Sequence, residues 1–198
     1  MDDQELLFNG KTAVVLYGRC GAGKTRVVWD RIGKLHKSDP EAIAIVIDTE
    51  YRHHQTPHSV LKEYGVDPDR LAIFEQNQTQ AMIERIGDVM KFVEGGAPVR
   101  MLVISTVNGI ATRRYNGDDP LPIGTYAQSL QNVLHAARAL TQAAGVNLVL
   151  VCQVRADLAP NAPKRYLASP ASALGHVDFK ALVENGQITE IESTKEKP

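Results

Sequence analysis

The segment GRCGAGKT (18–25) constrains this chain more than any other stretch of it. It matches G-x-x-x-x-G-K-[ST] and stands between a β-rich run, TAVVLY (12–17), and a helical stretch that begins at Lys24, which is the context the motif requires. Gly18, Gly21 and Gly23, interleaved with Arg19, Cys20 and Ala22, let the backbone curl until successive N–H groups point at one spot. The helix that follows adds the positive end of its dipole. Such a concavity suits phosphate oxygens. Lys24 is placed to reach the β- and γ-phosphates, the Thr25 hydroxyl to ligate Mg²⁺, and Arg26 to follow in the first helical turn. The expected cofactors are ATP and Mg²⁺. A glycine-rich turn without a ligand is the plain alternative, and the flanking strand and helix weigh against it.

Periodicity extends this start into a fold. AIAIVID (42–48), LAIFE (71–75), RMLVIS (100–105) and VNLVLVC (146–152) read as strands that are apolar throughout rather than alternating, the pattern of a parallel sheet covered on both faces. Between them lie helical stretches, 24–36, a short one ending near Gly65, 79–93 and 125–144. In the third, Met82, Ile83, Ile86, Val89, Met90 and Val93 recur at three and four, and Gly95 and Gly96 stop it. Strands alternating with helices indicate an α/β chain with a mostly parallel central sheet and helices on both faces.

Beyond Gln153 the pattern changes. Residues 156–170 carry three prolines and no periodicity, so 154–175 reads as a mobile loop. DFKALVE, the turn pair Asn185-Gly186 and QITEIEST then form a β-hairpin appended with a charged tail, 176–198. A chain of 198 residues without internal repeats fits one domain, with 11–153 as its core.

Charge and cysteine usage exclude several classes. Lys and Arg number 22 against 23 Asp and Glu, so bulk positive charge cannot coat nucleic acid or an anionic membrane, and local basic loops must hold any such partner. Two cysteines make no disulfide scaffold, and the acidic start MDDQE leads into no signal segment, so the expected setting is cytoplasmic. The longest apolar runs are of strand length, short of the roughly 20 residues of a membrane span.

The ends of the other strands narrow the reading. The second strand ends IDTE, the fourth reads LVISTVNGI and the fifth closes with LVLVCQVR. A carboxylate at a strand exit beside a phosphate loop can polarise an attacking water. A neutral amide there can read a γ-phosphate without bringing a second charge. Glu50 and Gln153 are those groups. This order of motifs resembles the core ATPase domain of the RecA/RadA recombinase superfamily over 12–198. The resemblance implies a P-loop NTPase of RecA type. It makes Glu50 the catalytic carboxylate, with Lys24 beside it, and Gln153 the γ-phosphate sensor that relays to a DNA-binding loop. It also places Lys195 and Lys197 of the closing KEKP where bacterial members reach a neighbouring subunit's nucleotide, so a homo-oligomer or a recombinase partner is implied.

Two loops bind single-stranded DNA in that superfamily. The first falls on 110–124, with Arg113, Arg114 and Tyr115, and the second on 155–173, with Arg155, Lys164, Arg165 and Tyr166. Basic residues beside an aromatic suit phosphate contact with base stacking. Arg-Arg-Tyr and Lys-Arg-Tyr are also ordinary solvated loop compositions, and Asp118 and Asp119 dilute the first.

The chain departs from the superfamily in three places. Where an Asp followed by Ser normally ends the fourth strand and holds the Mg²⁺ water shell, the chain has Ser105 and Thr106. A hydroxyl lacks the charge that Mg²⁺ prefers, so slow turnover is expected unless Asp48 compensates. Only residues 1–11 precede the first strand, too few for the N-terminal helix and polymerisation segment that link recombinase subunits into filaments. ASALGH (171–176) replaces the glycine pair that usually closes the second DNA loop. The chain therefore resembles minimal core-only members, RadA-like paralogues and phage RecA-like annealing proteins.

The expected function is an ATP-binding, weakly hydrolysing protein that binds single-stranded DNA in recombination or repair. The alternative is a nucleotide-responsive regulatory or mediator module acting through protein partners. A small-molecule kinase is disfavoured because no arginine-rich lid segment is evident. His53, His54 and His58 offer no third metal ligand at a convincing spacing and read as a polar surface segment, while Trp29 with Val27, Val28 and Ile32 reads as the core face of the first helix.

Overall fold

The computed structural model of the chain describes residues 7–8, 11–107, 123–155, 166–167 and 177–194. Its elements run β1 (Ala13–Gly18), α1 (Lys24–Ser38), β2 (Ile43–Asp48), α2 (His58–Glu63), β3 (Leu71–Glu75) and α3 (Thr79–Glu94), then β4 (Val99–Ser105), α4 (Ile123–Ala144), β5 (Asn147–Arg155), β6 (Tyr166–Leu167), β7 (Phe179–Glu184) and β8 (Gln187–Ser193). Seven strands form one sheet in the order β3-β2-β4-β5-β1-β7-β8, and all neighbours are parallel except the final β7–β8 pair.

Apolar residues on successive positions of a strand face opposite sides, so strands without alternation bury both. Ala13 and Val15 pack with Met82, Ile86 and Val89 of α3 and with Leu130, Leu134 and Leu140 of α4. Val14 and Leu16 pack on the other side with Val27, Val28, Trp29 and Ile32 of α1 and Leu61 of α2. Each such large side chain, fully withdrawn from water, contributes about 1.5–3 kcal/mol. The expected core face of α1 is therefore buried as read.

Parallel strands all exit at the same edge of the sheet. Register aligns the exits: Gly18 lies opposite Gln153, and Asp48, Ser105 and Val151 stand in line across β2, β4 and β5. Ligands of open α/β sheets bind at this edge because the loops there are free to vary while the strand ends stay fixed.

Two expectations need correction. The range 154–175 is not one loop: the fifth strand runs through Arg155, and β6 pairs antiparallel with its end, Val154 to Leu167 and Arg155 to Tyr166. Arg155 and Tyr166, expected in one aperiodic loop, thus belong to paired strands, because two residues per strand suffice to make a ladder and leave no periodic signal. The hairpin, moreover, is no appendage. β7 extends the sheet by pairing parallel with β1, from Val14 opposite Phe179 to Tyr17 opposite Leu182. Asp178 anchors its entry, accepting the Ala13 N–H at 2.9 Å and two bonds from the Arg138 guanidinium of α4 at 2.6 and 2.8 Å. Arg113, Arg114, Tyr115, Lys164, Arg165, Lys195 and Lys197 lie outside the described residues. Among the described residues no helix is long and apolar enough to cross a membrane.

Candidate functional site

A cleft of about 580 Å³ opens at the strand exits, between the turn at 18–25 and the ends of β2, β4 and β5. Cys20, Gly21, Ala22, Gly23, Lys24, Thr25 and Arg26 line one side, and Asp48, Glu50, Ser105, Thr106 and Gln153 the other. Gly18 and Arg19 sit just behind, at a second cavity of about 330 Å³. Gly21 and Gly23 adopt left-handed φ of 77° and 84°, which other residues reach only under strain. Among the described residues no side chain caps the N-terminus of α1, and no acid stands in its first turn, so the positive helix end faces the cleft.

Lys24 is buried and folds back over the loop, its Nζ donating to the carbonyls of Gly18 and Arg19, each at 2.8 Å. Burial pulls its pKa below the ordinary 10.5, opposed in part by Cys20, Cys152 and Glu50. A cation held by two neutral carbonyls in a partly desolvated pocket gains strongly from an anion.

Glu50 gathers the donors around it. Its Oε1 accepts the Thr106 hydroxyl at 2.9 Å and the Gln153 amide at 3.3 Å, and Oε2 faces the Arg52 guanidinium at 3.4 Å. The two residues singled out at strand exits, Glu50 and Gln153, therefore touch. The turn that aims Glu50 is built by Asp48, which is fully buried: Oδ1 accepts the Glu50 N–H at 3.1 Å and Oδ2 the His53 N–H at 2.5 Å.

Ser105 does not stand alone. Its Oγ lies 2.7 Å from His53 Nε2, and the His53 and Trp29 rings meet in a T-shaped contact with centroids 5.3 Å apart. His53 is only 5% exposed, and burial holds its pKa below 6.5, so it is neutral at physiological pH. The reading of His53 as part of a polar surface segment is corrected: Asp48 folds the turn inward and carries the imidazole into the cleft. No local pattern announces this, since the cap acts through backbone N–H groups that every residue has. Thr49, Thr106, Asn185 and Gly186 were equally hidden.

The β7–β8 turn completes the wall. Gly186 N–H donates to the Ala22 carbonyl at 2.8 Å, and Asn185 and Gly186 both line the cleft. Cys20 is free and exposed, while Cys152 is buried with its thiol pushed up to about 12.

The hydroxyl and carboxylate oxygens around the cleft come from Thr25, Thr56, Ser105 and Thr106 and from Asp48 and Glu50. That set suits a hard cation such as Mg²⁺, which keeps several waters and takes one or two carboxylates together with substrate phosphates. Asp48 stands beside Ser105 in register, but its oxygens already serve backbone donors. Among the described residues no cluster of three or more His, Cys, Asp or Glu could hold a metal ion by itself. No protein-family model matches the chain, and no curated protein sequence matches it.

Proposed function

We propose that this chain is a RecA-type P-loop protein that binds ATP, hydrolyses it slowly and holds single-stranded DNA in recombination or repair. One observation carries the reading: the phosphate-loop lysine, a strand-exit carboxylate and a strand-exit amide converge on one cleft, with Gln153 Nε2 3.3 Å from Glu50 Oε1.

Backbone N–H groups of the loop and the N-terminus of α1 bind the phosphates, and Lys24 exchanges its two loop carbonyls for phosphate oxygens. Thr25 and Ser105, with Asp48 behind, would hold Mg²⁺, whose role is to offset negative charge on the phosphates. Glu50 takes a proton from the attacking water. Gln153 exchanges Glu50 for the γ-phosphate, and β5, which ends two residues later at Arg155, carries the change toward the second candidate DNA loop. Arg113, Arg114, Tyr115, Arg155, Lys164, Arg165 and Tyr166 are the proposed DNA contacts, and Lys195 and Lys197 the proposed contacts across a subunit boundary in the cytoplasm.

The test is the steady-state ATP hydrolysis rate with Mg²⁺, with and without single-stranded DNA. Stimulation by DNA that Lys24→Ala and Glu50→Gln both abolish supports a DNA-coupled ATPase. Equal DNA affinity with ATP, ADP and no nucleotide removes the coupling. A second reading rests on the Ser105–His53 pair, where a neutral imidazole and hydroxyl occupy the place of an acid. ATP binding without any hydrolysis would favour it, a nucleotide-responsive regulatory module with protein partners.

A further inference from the structure

Glu50 has two tasks in the proposed cycle that its partners cannot share equally. It must stay aimed at the attacking water, yet Gln153, one of its partners, must leave it to read the γ-phosphate. We infer that the Thr106 hydroxyl is the positioning residue that keeps Glu50 aimed while Gln153 moves; this rests on the ATPase reading above.

A carboxylate oxygen offers two lone pairs, and Oε1 of Glu50 gives both away, to Thr106 at 2.9 Å and Gln153 at 3.3 Å. The first distance is within the range of an O–H···O bond, and the second is just beyond the usual N–H···O range. Among the described residues Oε2 pairs only with Arg52, whose side chain is 70% exposed, and an ion pair in water restrains little. Oε2 is therefore the oxygen able to take a proton, and Oε1 is the anchor.

The two donors on that anchor differ in stiffness. Gln153 reaches Glu50 through a long unbranched side chain. Thr106 is β-branched and restricted at χ1, and its backbone is clamped from both sides by one buried hydroxyl. Thr49 Oγ1 accepts the Thr106 N–H at 2.8 Å and donates to the Thr106 carbonyl at 2.6 Å, and the Thr49 N–H donates to the Ser105 carbonyl at 2.8 Å. Thr49 is fully buried. The ends of β2 and β4 are thus locked together one residue away from Glu50, and the Thr106 hydroxyl projects from that lock. When Gln153 turns to the phosphate, the better and stiffer of the two bonds remains.

The lock uses the backbone of Thr106, so Thr106→Val removes the hydroxyl, keeps the shape and leaves the bonds to Thr49 in place. Single-turnover ATP hydrolysis by the full chain, with excess protein, is measured beside the KM for ATP and the thermal midpoint. The expected result is a rate lower by about ten- to a hundredfold, as for a misaligned catalytic group, with KM changed by less than about twofold, rates restored by Thr106→Ser, and no further loss from Thr106→Val in a Glu50→Gln background. A Val variant that hydrolyses at the parental rate, loses only KM, or is not rescued by Ser overturns the role of Thr106 while leaving the ATPase standing. A parental chain that binds ATP but does not hydrolyse it overturns the ATPase reading and this role with it.

Discussion

Gly23→Ala, compared with Gly21→Ala, isolates the contact between the glycine-rich loop at 18–25 and the β7–β8 turn. The two glycines have nearly the same backbone, with φ of 84° and 77°, so an alanine at either bears the same left-handed penalty of about 1 kcal/mol. Their surroundings differ. A Cβ on Gly21 meets nothing within 4 Å, whereas a Cβ on Gly23 would stand 2.6 Å from Gly186 Cα and 2.7 Å from Gly186 N. Both are backbone atoms, so the turn must move away, and the Gly186 N–H bond to the Ala22 carbonyl stretches with it. Overpacking of that kind adds about 1–3 kcal/mol. For a chain of this size about 2–4 °C of melting temperature corresponds to each kcal/mol. Gly21→Ala should therefore lower the midpoint by about 2–4 °C and Gly23→Ala by about 4–16 °C. The assay is thermal unfolding followed by circular dichroism without nucleotide, so that lost ligand binding does not enter. Equal losses in the two variants would refute the docking of the turn on the loop.

Ser105→Asp restores a charge beside the proposed metal position and should raise the Mg²⁺-dependent hydrolysis rate severalfold, read in the same steady-state assay; an unchanged rate would place the metal elsewhere. Asp178→Ala leaves the Arg138 guanidinium and the Ala13 N–H without their partner, and a broken buried pair costs about 3–5 kcal/mol, visible as a lower urea midpoint at unchanged slope. Burial holds His36 and His53 below 6.5 in the folded chain, so the unfolded chain binds more protons below that pH. Stability should be level above about pH 6.5 and fall as the pH is lowered toward 5, and a His36→Gln, His53→Gln double variant should flatten that slope in melts across the range. Iodoacetamide should modify Cys20 and spare Cys152, and ATP should slow the reaction at Cys20, as peptide mass mapping would show.

Much of the fold was legible because its signals are local. AIAIVID forecasts β2 at Ile43–Asp48 within a residue, LAIFE is β3 as read, and the three-and-four spacing from Met82 to Val93 gives α3 with its glycine stop. Glu50 and Gln153 were legible for another reason: in a parallel sheet every strand exit lies on one edge, so two polar residues at exits are near each other once the sheet is granted. His53 and Thr106 were not. Their roles depend on a turn closed by Asp48 and on a bond between strands 57 residues apart in sequence, Thr49 to Thr106.

The sequence by itself determined the alternation of strands and helices, the parallel sheet with both faces covered, and the glycine loop that opens a helix, because each follows from side-chain period and backbone freedom within a few residues. Only the tertiary structure decided that the hairpin joins the sheet at β1 and lays its turn on the glycine loop, that an imidazole backs Ser105, and that two donors share one oxygen of Glu50. Those contacts join segments far apart in the chain, and hydrogen bonds from backbone groups common to every residue leave no mark in composition or spacing.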